Sequence, residues 1–122
     1  MSEKVFIFDE IVVPTAQAAR LRDAYIADYA PTAKARGMSL EGAWRSPPVE
    51  LAERTVTLHF LWSVPNVGGW WGMRLGAARA DPTQDVPLDG DEEKMRWWAW
   101  VDDIAVSRKR TFMLDIEEAA HV

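Results

Sequence analysis

The sequence contains no cysteine and only two histidines, and no stretch of it approaches the roughly 20 consecutive apolar residues that cross a bilayer. Without cysteine, disulfides, thiol nucleophiles and thiolate metal sites are excluded. One histidine lies in the C-terminal tail, and the other, His59, has no partner at a spacing such as H-E-x-x-H, so no metal site is expected. No glycine-rich loop follows a strand to cradle a phosphate, so no nucleotide or other cofactor is expected either. An excess of positive charge is also missing. A formal net charge of −5 and a pI near 5.0 give no attraction to phosphate backbones or anionic membranes, and the run Arg108-Lys109-Arg110 is too short to reverse that. Neither nucleic acid nor a membrane is therefore an expected partner. The start Met-Ser-Glu-Lys lacks an apolar signal segment, which makes a cytoplasmic protein the expectation.

What the chain does have is apolar bulk. Its 122 residues are 48% hydrophobic and include seven tryptophans, enough for one packed core, so residues 1–122 are expected to form a single domain. The stretch Thr55 to Ser63 alternates with period two, with Val56, Leu58, Phe60 and Trp62 on one side and Thr57, His59 and Leu61 on the other. It predicts a strand with one strongly apolar face and one mixed face, and His59 sits on the mixed one.

Taken in order, Lys4 to Val13 predicts a first strand, with Phe6, Phe8, Glu10 and Val12 opposite Val5, Ile7, Asp9, Ile11 and Val13. Thr15 reads as an N-cap, and Ala18, Leu21, Tyr25 and Tyr29 recur at helical spacing over about residues 16–29. Pro31 predicts a bend or restart there, and Gly37 a left-handed cap. Met38 to Arg45 predicts a second strand ended by Ser46-Pro47-Pro48, and a loop to Arg54 leads into the third. A glycine-rich helix is expected from about Val67 to Arg79, then a loop from Ala80 to Gly90 that is either a lid or a surface insertion. Asp91 reads as the cap of a further helix whose stripe is Trp97, Val101 and Ile104, leaving Trp98 and Trp100 off it. Lys109 to Ile116 predicts the last strand, and 117–122 a frayed tail.

Strand, helix, strand, strand, helices, strand is the βαββαβ order of a ferredoxin-like α+β sandwich, a four-stranded antiparallel sheet with helices on one face. By residue character, Phe6, Phe8, Val12, Leu40, Trp44, Val56, Leu58, Phe60, Trp62, Phe112, Leu114 and Ile116 are expected under the helices. Asp9, Glu41, Arg45, Thr57, His59 and Asp115 are expected on the opposite face, lining a cleft. The apolar area that face still exposes calls for a partner, most simply an identical subunit, giving a homodimer.

The segments Glu10-Ile11-Val12-Val13-Pro14 and Gly37-Met38-Ser39-Leu40-Glu41-Gly42-Ala43-Trp44, and Leu61-Trp62 followed by Trp70, resemble the NIPSNAP-like branch of the dimeric α+β barrel superfamily. The resemblance covers roughly residues 4–75. It implies the fold and a dimer more firmly than a reaction, since the superfamily includes cofactor-free monooxygenases, polyketide cyclases, isomerases, haem-binding members and proteins without known activity.

His59 is the natural general acid/base, because imidazole exchanges protons near neutral pH, although a lone histidine on a half-buried strand can equally be structural. Asp9 shares its expected face and would orient it, which makes His59 and Asp9 the candidate catalytic pair. Arg45 and Thr57 could contact a polar group of a substrate, and Trp70, Trp71 and Trp98 could stack on a flat apolar one. The chemistry this suggests is cofactor-independent proton transfer on a hydrophobic, aromatic or polycyclic, oxygen-bearing small molecule. The alternative is a non-catalytic binding or interaction protein of the same fold.

Overall fold

The computed structural model describes residues 4–49, 54–70 and 89–116. Four strands, β1 (Val5–Pro14), β2 (Ser39–Ser46), β3 (Thr55–Val64) and β4 (Ser107–Leu114), form one antiparallel sheet in the order β2-β3-β1-β4. The helices are α1 (Thr15–Ala24), α2 (Ala30–Ala35), α3, described over residues 67–70, and α4 (Asp89–Ile104). The expected four-stranded antiparallel α+β architecture is thus what the chain adopts. The expected loop 80–90 lies outside the described residues except for its last two, which already belong to α4; Trp71 and residues 71–79 of the glycine-rich helix also lie outside them.

Between α1 and α2 the chain does not break. Residues Tyr25–Tyr29 form a π-helical turn, closed by the Ala30 N–H donating to the Tyr25 carbonyl five residues back. Pro31, in the first turn of α2, cannot donate a backbone hydrogen bond, and the wider turn ahead of it carries the helix past that position. The turn buries Tyr25 and Tyr29 together, with ring centroids 4.9 Å apart. Thr15 is not an N-cap: it is the first helical residue, and its hydroxyl donates to the Arg54 carbonyl at 2.6 Å, tying α1 to the start of β3. Gly37 takes the left-handed conformation expected of it, at φ 95°.

The sheet sorts its faces differently from the expectation in two strands. β3 behaves as predicted, burying Val56, Leu58, Phe60 and Trp62 under the helices. The register Ile7↔Trp62, Asp9↔Phe60 and Ile11↔Leu58 then puts Val5, Ile7, Asp9, Ile11 and Val13 beside them, so Phe6, Phe8 and Val12 face the other way. Both sides of β1 are apolar enough to be buried, so alternation could not choose. In β2 a bulge between Leu40 and Gly42 shifts the register, sending Arg45 to the helix side opposite Leu58 and Trp44 to the open side opposite His59. Gly42 permits this: a Cβ there would lie 2.5 Å from the Trp44 ring, which rests on the strand.

The core is built around the carboxylate that this arrangement buries. Asp9 is 1% exposed and forms a two-pronged ion pair with Arg110 at 2.6 and 2.7 Å; the Tyr25 hydroxyl donates to it at 2.8 Å. Trp62 Nε1 donates in turn to the Tyr25 hydroxyl at 2.6 Å, and Arg110 donates to the Tyr29 hydroxyl at 2.7 Å. Tyr25 also stacks on Phe60, centroids 3.6 Å apart. Burial first, and then the Asp9 charge, push the Tyr25 phenol far above its ordinary value, so it remains a donor throughout the accessible pH range. Replacing Arg110 by methionine would strand a buried charge, and removing one partner of a buried pair costs about 3–5 kcal/mol. We expect Arg110→Met to fall at the low end, because the Tyr25 hydroxyl remains, and Asp9→Leu/Arg110→Met to recover part of the loss; urea denaturation measures both.

Candidate functional site

The predicted catalytic pair is not brought together. His59 lies on the open face of the sheet, while Asp9 points into the core and is occupied by Arg110 and Tyr25. They cannot act on one substrate atom, because direct cross-strand partners share a face and the face alternates along each strand: the partner of Asp9 is Phe60, so His59, one residue before it, points to the other side. The partner of His59 is Glu10, whose Oε1 is 3.9 Å from His59 Nδ1. On the other side of the ring, His59 Nε2 is 2.8 Å from Ser46 Oγ, and Phe8 stacks against the imidazole at 5.7 Å. Thr57 shares this face, opposite Ser46 on one side and Val12 on the other.

On the helix side, α1 and β2 diverge to leave a groove of about 550 Å³. Leu58 and Phe60 form part of its floor, Ala18 and Ala19 one wall, and Ala43, Trp44, Arg45 and Pro48 the other, with Arg22 also contributing. This volume lies in the range of small-molecule sites, and the lining combines apolar surface with two guanidinium groups. Arg45, a predicted binding residue, therefore does line a cleft, though on the opposite face from the one expected. Its Nη2 donates to the Pro48 carbonyl at 2.7 Å, which holds the side chain along the groove wall.

The tryptophans divide. Trp98 packs between α4 and the sheet, its ring under the guanidiniums of Arg108 and Arg110 at 4.6 and 5.0 Å and tilted against Tyr29 at 5.3 Å. That makes it part of the core assembly around Arg110 rather than a ligand platform. Trp70 meets Phe112 edge-on at 5.4 Å, beside a shallower apolar depression of about 210 Å³ lined by Val5, Val67, Met113 and Leu114. Among the described residues, no group of three or more histidines, aspartates and glutamates is placed to hold a metal ion, and no helix is long and apolar enough to cross a membrane.

Ser46 and Arg22 are the site residues the sequence reading missed. The signal for Ser46 was Gly42: a glycine inside a strand marks a bulge, and a bulge reverses the facing of every residue after it. Arg22 carried no signal of its own, since a surface arginine on a helix is common.

No protein-family model matches the chain, and no curated protein is similar to it in sequence. Its fold is that of known structures in the ferredoxin-like α+β class. The likeness is to NIPSNAP-type proteins, the branch the sequence motifs resemble. A NIPSNAP family protein from Agrobacterium tumefaciens superposes with a TM-score of 0.61 at 10% identity, covering 94% of this chain and 88% of that one. A NIPSNAP-like domain protein from Burkholderia xenovorans gives 0.60 at 10% identity over 94% and 87%. A Caulobacter crescentus protein provisionally described as an antibiotic biosynthesis monooxygenase gives 0.55 at 14% identity over 92% and 89%. At these identities the likeness establishes the fold.

The open face also carries Glu41, whose Oε1 accepts a hydrogen bond from Ser63 at 2.7 Å and lies 3.6 Å from Lys4 Nζ. The Ser63 hydroxyl first, and then Lys4, hold this carboxyl below its ordinary value of 4.5, so it stays charged to lower pH than a free glutamate. In Ser63→Ala the Glu41 titration should move up toward 4.5, as followed by NMR of the side-chain carboxyl carbon.

Proposed function

We propose that the chain binds a hydrophobic, aromatic or polycyclic small molecule bearing a carboxylate or similarly anionic oxygen, in the groove between α1 and β2. The observation that carries this reading is the combination of Leu58 and Phe60 in the floor with Arg22 and Arg45 in the walls. An apolar body replaces water over the floor, and a guanidinium gives an anionic oxygen a charge-assisted hydrogen bond. Trp44 contributes to the rim of the groove, while its ring rests against Gly42 on the open side of the sheet. The fold it shares with NIPSNAP-type proteins is compatible with such a role. Proton transfer by His59 and Asp9 is not part of this proposal, since the two lie on opposite faces of the sheet. The open face, with Phe6, Phe8, Val12, Leu61, Trp44 and Met113 on one side of the strands, supports pairing with a second copy of the chain.

Two measurements follow. In calorimetric titrations, an aromatic acid such as a naphthoate should bind and its neutral amide should bind more weakly. Arg45→Gln should weaken the acid by about tenfold, the loss of one charge-assisted hydrogen bond. Ala19→Trp, at an exposed position on the groove wall, should block binding without disturbing the core. Acid binding untouched by both variants would place the ligand elsewhere. Separately, light scattering should give the mass of a dimer for the native chain and of a monomer for Phe8→Glu, because a carboxylate would replace an apolar ring in the middle of that face.

A further inference from the structure

The groove leaves unused the cluster on the other side of the sheet, where Ser46, His59 and Glu10 form a line across three adjacent strands. We propose that these three side chains are a nucleophile, a general base and an orienting carboxylate, and that Ser46 accepts small apolar acyl groups from activated esters. The 2.8 Å separation of Ser46 Oγ from His59 Nε2 is within the reach a serine nucleophile needs from its base. Glu10 Oε1 lies on the Nδ1 side at 3.9 Å, where closing to hydrogen-bond distance would favour the tautomer with its proton on Nδ1 and leave the Nε2 lone pair for the serine proton. Glu10 and His59 are direct cross-strand partners, so the sheet fixes their spacing rather than two flexible loops.

Access and surroundings agree with this role. Ser46 is exposed and ends β2, an edge strand, so an ester can approach from the margin of the sheet. Phe8 backs the imidazole, and Trp44, 54% exposed, precedes Ser46 by two residues on the same face; both favour an apolar acyl or aryl group. In the step itself, Ser46 Oγ attacks the ester carbonyl carbon and its proton passes to His59 Nε2. The alcohol or phenol leaves with that proton, and an acyl-Ser46 ester remains. Water then attacks the same carbon, giving its proton to His59 and releasing the carboxylic acid with Ser46 restored. No oxidant, metal or cofactor enters the balance. The site lies across the sheet from the α1–β2 groove and stands whether or not that groove binds a ligand; it sits at the β2 margin of the face proposed to pair with a second copy, where Ser46 on the edge strand is reached from the side.

The test uses p-nitrophenyl butyrate as substrate and a fluorophosphonate as covalent probe, on the full chain. Peptide mass mapping should place the phosphonate on Ser46. Ser46→Ala and His59→Asn should each lower kcat/KM by about 100-fold, the size of a general-base contribution. Glu10 is a positioning residue, so Glu10→Gln should lower kcat by about tenfold while leaving KM near the native value, with kcat counted per site titrated by the fluorophosphonate so that an unfolded fraction does not lower it. Because the sequence has no cysteine, Ser46→Cys introduces a single thiol, and its alkylation by iodoacetamide should be faster with His59 present than in Ser46→Cys/His59→Asn. Label on another side chain, native hydrolysis in Ser46→Ala, or equal alkylation rates in the two thiol variants would each overturn the assignment.

Discussion

The contact on which the rest of the structure depends is the ion pair between Asp9 and Arg110. A carboxylate 1% exposed is tolerated only if its charge and lone pairs are met, and here a strand 101 residues further along the chain supplies the guanidinium. Meeting that demand docks β4 against β1 in one register, since Asp9 and Arg110 are direct cross-strand partners. The same two residues draw in the helical layer: Tyr25 donates to Asp9, and Arg110 donates to Tyr29. The π turn that places both tyrosines on one side is therefore joined to the sheet by hydrogen bonds as well as by ring stacking. Hydrogen bonds of this kind add little net stability by comparison with apolar burial, yet they penalise every alternative register, because any slip leaves a buried charge unmatched.

This interaction also explains what could and could not be read from the sequence. The element order, the edges of β3 and its buried side, the helical stripe of Ala18, Leu21, Tyr25 and Tyr29, and the cap at Gly37 followed from local patterns. The facing of β1 did not. Its two sides carry similar apolar content, and the tie-breaker is a partner at position 110 that no local window contains. An aspartate in an otherwise aliphatic row suggests exposure by default, and only knowledge of Arg110 reverses that default. Likewise β2 was assigned by strict alternation up to Arg45, and the bulge after Leu40 inverted everything beyond it, including Arg45, Trp44 and Ser46. Pairing of His59 with Asp9 failed for the first reason, and the contribution of Ser46 was missed for the second.

Once the facing is settled, a four-stranded sheet separates two chemistries. The helix side offers an open groove with arginines in its walls and apolar side chains in its floor. The open side holds the histidine, partly buried between Phe8 and Ser46. The sheet between them would keep a ligand seated in the groove out of reach of His59, so the groove and the histidine are proposed as separate sites.

The two sides meet at the end of β2. In an extended strand successive side chains alternate, so Trp44, Arg45 and Ser46 point to the open face, the groove and the open face again. Arg45 lines the groove, with Trp44 at its rim, while Ser46 touches His59. A ligand that draws Arg45 from the Pro48 carbonyl would release a hydrogen bond that spans Ser46 itself, since residues 45 and 48 flank it. Any displacement of that short segment would move Ser46 Oγ relative to an imidazole on β3, a central strand paired on both sides with β1 and β2. A ligand in the groove would therefore act on the serine–histidine distance only through these three consecutive residues of one edge strand, because the sheet separates it from the histidine itself.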